Sequence, residues 1–216
     1  MFNWQTNLQE TLFLDIYKPS ASVNYLRPVL IYAHGTGSDK CCDKAITFGN
    51  YFAQRGYLVA SINYRLGVEN PTTPADNYEE GYEATQDAKA AIRFFKAHGA
   101  DYCADTSAIF MIGTSAGALI ALTCAYWEQE EINPFVDEQK LGPLDQSSGN
   151  TGFGSGVRSI IGCWGGIVDT SWLKNETTPH YLFHGTNDTI VPYFRLRTLR
   201  NLFVRKLRYS RRCASI

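Results

Sequence analysis

The chain has 216 residues, 44% hydrophobic and 19% charged, with 20 Lys and Arg against 21 Asp and Glu. That suits one globular domain with a substantial core. A net charge of −1 gives no global attraction to nucleic acid or an acidic surface, and no run of ~18 apolar residues offers a membrane span.

The charge is unevenly spread. Arg195, Arg197, Arg200, Arg205, Lys206, Arg208, Arg211 and Arg212 crowd the carboxyl end, where no acidic residue stands. The amino end, MFNWQTNLQE, has neither the basic nor the apolar segment of a secretory signal. Read as given it suits the cytoplasm; a secreted or periplasmic origin with the signal removed is the alternative. The cysteines show no CxxC or Cys/His metal spacing, so no metal is expected. Cys124 and Cys163 fall in apolar runs and read as buried thiols, whereas Cys103 could pair with Cys41 or Cys42 in an oxidising compartment.

In chain order, TLFLDIYKP (11–19) alternates like a half-buried strand. PVLIYAHGTG (28–37) is a strand apolar on both faces that ends in a glycine loop. AITFGNYFAQRG (45–56) has helical spacing and a Gly stop, and YLVASINYRLG (57–67) is a further strand. A Pro-rich loop over 70–78 precedes a helix over 78–98, with Ala84, Ala88, Ala91, Ile92 and Phe95 on its buried face. SAIFMIG (107–113) is a strand and 116–127 a helix. Polar, Gly- and Ser-rich residues 128–156 form a long loop or excursion. VRSIIGCWGGIVD (157–169) and HYLFHGTND (180–188) supply two more strands. This alternation predicts an α/β fold: a mostly parallel sheet with helices on both faces, and a site at the carboxyl ends of the strands.

Three motifs stand at such ends. Gly113-Thr-Ser-Ala-Gly117 has the G-x-S-x-G spacing that lifts a serine on a strained strand-to-helix turn, with Gly113 and Gly117 letting strand and helix approach. HGTG (34–37) can aim a backbone N–H, with that of Ala116, at an oxyanion. In HGTNDTIVP (184–192), Asp188 can orient an imidazole, with Asp169 as its competitor.

In this order, HGTG, INYRLG, QDAKAAIRFF, GTSAG, WGGIVD and HGTND-x-x-VP resemble the α/β-hydrolase fold. The likeness is to its small carboxylesterases, including feruloyl- and acetylxylan-esterase-like members. It covers residues 11 to 194, within a domain read as 1–194. It implies a three-layer sandwich and hydrolysis of a small-molecule carboxylic ester through an acyl-enzyme, with no cofactor. Ser115 would attack, Asp188 would be the triad acid, and Gly35, Thr36 and Ala116 would supply the oxyanion N–H groups. Thr36 stands where the family more often has glycine.

The triad order of that fold puts a histidine after Asp188. The four histidines are His34, His98, His180 and His184, so none does. His184 is the substitute base by position. Residues 195–216 then read either as a basic amphipathic helix or as aberrant sequence at the end of a truncated or frame-shifted esterase that lacks the last strand and helix of the fold. The alternative function is an impaired or inactive hydrolase with a binding role. Oligomeric state is not specified by these features.

Overall fold

Alternation along the strands builds the two halves of the core. In the computed structural model, which describes residues 2–3, 8–20, 24–66, 74–132, 134–174 and 176–193, β1 (Phe2–Asn3) and β2 (Leu8–Gln9) form a small antiparallel pair. The main sheet comprises β3 (Leu14–Tyr17), β4 (Arg27–Ala33), β5 (Leu58–Ile62), β6 (Ala104–Thr114), β7 (Ser159–Cys163) and β8 (His180–Phe183). Its order is β3-β5-β4-β6-β7-β8, with β3 antiparallel to β5 and every other pair parallel.

Val29, Ile31 and Ala33 of β4, Leu58, Ala60 and Ile62 of β5, and Ile109 and Met111 of β6 point to one face. Leu30, Tyr32, Val59 and Ile112 point to the other. The first face is covered by α2 (Pro74–Tyr102) and α3 (Ala116–Tyr126), and the second by α1 (Asp43–Ala53) through Ala45, Phe48 and Phe52. The expected three-layer α/β sandwich is therefore present. Among the described residues β8 is its last strand and one edge of its sheet.

Several boundaries differ from the sequence reading. The helix expected over 78–98 starts at Pro74, because proline suits the first helical position, where its missing N–H has no partner to lose. His98 leaves helical geometry (φ −111°, ψ 17°), and a last turn continues to Tyr102. β5 stops at Ile62 rather than Gly67, since Arg65 turns off the sheet to bind α2. The strands read over 157–169 and 180–188 shorten to β7 and β8.

The 128–156 excursion is tied down. It holds a 3₁₀ turn at Gln129–Glu131 and α4 (Glu138–Leu141). Tyr82 donates its hydroxyl to the Gly142 carbonyl (2.8 Å), Gln86 donates to Leu141 (2.9 Å), and Arg93 pairs with Asp145. Tyr126 and Trp127 are buried, while Phe135 and Phe153 are exposed. Cys124 and Cys163 are buried thiols, and Cys41, Cys42 and Cys103 are free rather than paired. The basic segment 195–216 and the first part of the Pro-rich loop, 70–73, lie outside the described residues.

Candidate active site

Strand register gathers the motifs at one edge of the sheet. Ala33 aligns with Gly113, Thr114 with Cys163, and Cys163 with Phe183. The next residues, His34, Ser115, Trp164 and His184, therefore emerge side by side at the carboxyl ends of β4, β6, β7 and β8.

Ser115 has φ 54° and ψ −119°, a strained conformation for a residue with a Cβ. Its N–H donates to Cys163 O (2.9 Å), and its carbonyl accepts from Ala118 N (2.9 Å), so strand and helix both fix the turn. A Cβ on Gly113 would lie 1.9 Å from Gly117 O, and one on Gly117 2.1 Å from Ala33 O. Only glycine lets β4, β6 and α3 come this close. Gly35 lies against the turn: a Cβ there would meet Thr114 O at 3.1 Å and the Ser115 Cβ at 3.3 Å. α3 begins at Ala116, so the N–H groups of Ala116 and Gly117 have no intrahelical acceptor.

His34 braces this loop. It is buried, stacks on Tyr64 with ring centroids 4.5 Å apart, and places Nδ1 3.0 Å from Gly35 O. Burial pushes its pKa down, which favours the neutral ring. Tyr64 donates its hydroxyl to His34 O (2.6 Å), locking the loop to the end of β5.

Asp188 and His184 share one turn. Asp188 Oδ1 accepts from Val191 N and Ile190 N, both at 2.9 Å, and these two bonds hold the carboxyl below its ordinary pKa. Asp188 Oδ2 lies 3.4 Å from His184 Nε2, which also approaches Val191 O at 2.5 Å. Nε2 is thus the donor, and the neutral tautomer leaves Nδ1 as the acceptor. Register sets His184 two strands from Ser115, a backbone separation of roughly 10 Å. Among the described residues no side chain hydrogen-bonds the Ser115 hydroxyl. Asp169, the competing acid, instead caps the 3₁₀ turn at Thr170–Leu173, accepting from Ser171 N (2.8 Å). His98 faces Asn150 and His180 bonds Tyr126, both away from this edge.

A cleft of about 190 Å³ opens beside Ser115. Thr36, Gly37 and Ala116 line it next to the serine turn, and Leu119 and Ile120 of α3 line it further along that helix. Trp127 and Trp172, both buried and stacked 4.8 Å apart, also line it.

The profile of the BD-FAE family matches residues 14–165, most of this chain. The chain belongs to the BD-FAE family of α/β-hydrolase esterases. This BD-FAE chain is 30% identical over 112 residues to Esterase cest-33 of Caenorhabditis elegans, which covers 49% of the chain and 20% of that protein. It is 30% identical over 112 residues to the Neuroligin-like protein glit-1 of the same organism, covering 51% and 15%. With human Carboxylesterase 3 it shares 29% over 118 residues, covering 52% and 20%. The chain thus spans about a fifth or less of the length of these relatives. The butyrate-bound esterase of Thermogutta terrifontis superposes with a TM-score of 0.61 at 21% identity, over 89% of this chain and 73% of that one. The same esterase phosphonylated by cyclosarin gives 0.60 at 23% identity, over 84% and 69%. These likenesses show the same fold.

The structure also places residues at the cleft of this BD-FAE chain that the motifs did not reveal. Asn77, Tyr78 and Glu80 line it from the first turns of α2, and Val168 and Trp172 from the segment after β7. For Asn77, Tyr78 and Glu80 the signal in the sequence is the run Tyr78-Glu-Glu at the start of a helix, which reads equally well as a solvated face; Val168 belongs to the WGGIVD motif.

Proposed function

We propose that this chain hydrolyses short-chain carboxylic esters through an acyl-enzyme on Ser115. The observation that carries this reading is the Ser115 turn itself. A strained serine stands between β6 and α3, with Gly35 against it and an apolar cleft beside it.

In this mechanism Ser115 Oγ attacks the ester carbonyl carbon while its proton passes to a base. The carbonyl oxygen takes up negative charge against the N–H groups of Ala116 and of Gly35 or Thr36. The intermediate collapses, the bond to the alcohol oxygen breaks, and the alcohol leaves with the proton from the base. Water repeats the attack on the acyl-enzyme and releases the acid. His184 is the base; it uses Nδ1, with Asp188 and the Val191 carbonyl steadying Nε2–H, whereas His34, nearer in register, is buried against Tyr64 in the oxyanion loop. Serine, base and backbone donors supply every step, so the chemistry needs no cofactor. The small cleft suits a short acyl group, in keeping with the butyrate bound to the related esterase.

A second reading is favoured by one feature: the Ser115 hydroxyl has no side-chain hydrogen bond among the described residues. In that reading the chain keeps the cleft and lacks an efficient base, and it serves in binding.

Hydrolysis of p-nitrophenyl butyrate decides between them. Turnover by the wild-type chain should fall by ~10⁴–10⁶ in Ser115→Ala, and by a comparable factor in His184→Ala if that ring is the base. A Ser115→Ala rate equal to a measurable wild-type rate rejects the nucleophile. A wild-type rate no higher than that of buffer leaves the binding reading.

A further inference from the structure

Among the described residues that line the cleft, Glu80 is the one charged side chain. It is partly buried there, with Tyr64, Tyr78, Trp127 and Trp172 supplying aromatic walls. Among the described residues no basic side chain pairs with it. On α2, Glu83 is bound by Arg65, and Glu79 is bound by Lys140 at 2.9 Å. Arg65 is itself held by Glu83 and Asp87. Burial, with a smaller contribution from Asp169 beyond β7, raises the Tyr78 pKa. On the oxyanion side, buried His34 favours its neutral form. The lining residues of α3 carry no charge.

We propose that Glu80 makes this cleft a receptor for an ammonium group, so that the esters it takes carry a positively charged amine on the part that fills the cleft. The substrate assignment rests on the Ser115 reading above; the ammonium site itself does not. A carboxylate inside aromatic walls offers a cation two attractions at once: a direct charge pair, and the negative faces of the rings. An alkyl chain on the ammonium covers the apolar remainder of the cleft. An alcohol of the same length gains the apolar contact and only a neutral hydrogen bond.

Burial, with a smaller contribution from Glu83, pushes the Glu80 carboxyl up to about 7 in the free protein. A bound ammonium favours the ionised form. Affinity should therefore be low where Glu80 is protonated and rise as pH passes through about 7.

The test is binding of n-butylammonium chloride and of 1-butanol, followed by tryptophan fluorescence, since Trp127 and Trp172 line the cleft. The wild-type chain should bind n-butylammonium at least about tenfold more tightly at about pH 8.5 than at about pH 5.5, with 1-butanol unchanged. Glu80→Gln, nearly isosteric, should lose both the preference and its pH dependence. Equal affinities in Glu80→Gln and wild type, a wild-type preference for 1-butanol at both pH values, or no binding of the amine overturns the proposal. Ser115→Ala should keep the ammonium affinity. Retained affinity without any ester hydrolysis would reject the nucleophile and leave this site standing; hydrolysis without ammonium preference would do the reverse.

Discussion

Arg65→Leu should cost the fold about 3–5 kcal/mol, measured by urea unfolding near neutral pH. Arg65 lies just beyond β5, and its guanidinium is consumed by α2. Nε and NH2 reach Asp87 at 2.8–3.1 Å, NH1 reaches Glu83 at 2.9 Å, and NH2 also meets the Gln86 side chain at 2.9 Å. The three charged side chains are at most 2% exposed. Removing Arg65 takes its charge and its hydrogen bonds away from two buried carboxylates.

The pH dependence fixes the cause. Burial already raises the Asp87 pKa despite the opposing pull of Arg65. Without Arg65 the Asp87 carboxyl should rise further, so the folded variant binds a proton that the unfolded chain does not. Its deficit should be largest above the raised Asp87 pKa and shrink as pH falls and that carboxyl neutralises. A deficit that stays constant with pH would point to lost packing alone. Arg65→Lys should recover only part of the loss, because one ammonium cannot bridge Asp87, Glu83 and Gln86 together. Since Tyr64 and Glu80 flank this clamp in sequence and line the cleft, n-butylammonium binding should weaken along with stability.

How much of this was legible depended on the range of the interaction. The buried strands could be read because β4 and β6 lie between helix layers, so consecutive apolar residues there mean two covered faces. The serine turn could be read because its cause is local: strain at Ser115 and close approach at Gly113 and Gly117 all fall within five residues. The Arg65 clamp could not, although both of its segments stood out in the sequence, because pairing across 18 to 22 residues depends on how α2 returns over the sheet. Glu80 was hidden for the same reason, since an acidic residue near a helix start usually faces water. Asp188 and His184 were found as neighbours. That the imidazole would turn Nε2 toward Val191 O depends on the path of the chain after Asp188, which the motif does not encode.

Gly113→Ala should be still more disruptive to the site. The added methyl would meet the backbone of Gly117 and Ala118 at 1.9–2.5 Å. No rotamer relieves a backbone clash, so α3 must lift off β6, at a cost of about 3 kcal/mol or more. Gly117→Ala drives the same helix off Ala33 and His34 and should behave alike. The expected result is loss of any esterase activity together with a lowered Tm. A companion variant separates strain from packing. Ser115→Gly removes a Cβ from a backbone at φ 54° and should be about 1–3 kcal/mol more stable than Ser115→Ala, which keeps that Cβ. For a chain of this size each kcal/mol moves Tm by about 2–4 °C, so scanning calorimetry of the two inactive variants resolves the difference. Equal Tm values would mean the turn stores no strain. A more stable Ser115→Gly would show that the fold gives up stability where it lifts one hydroxyl clear of the sheet.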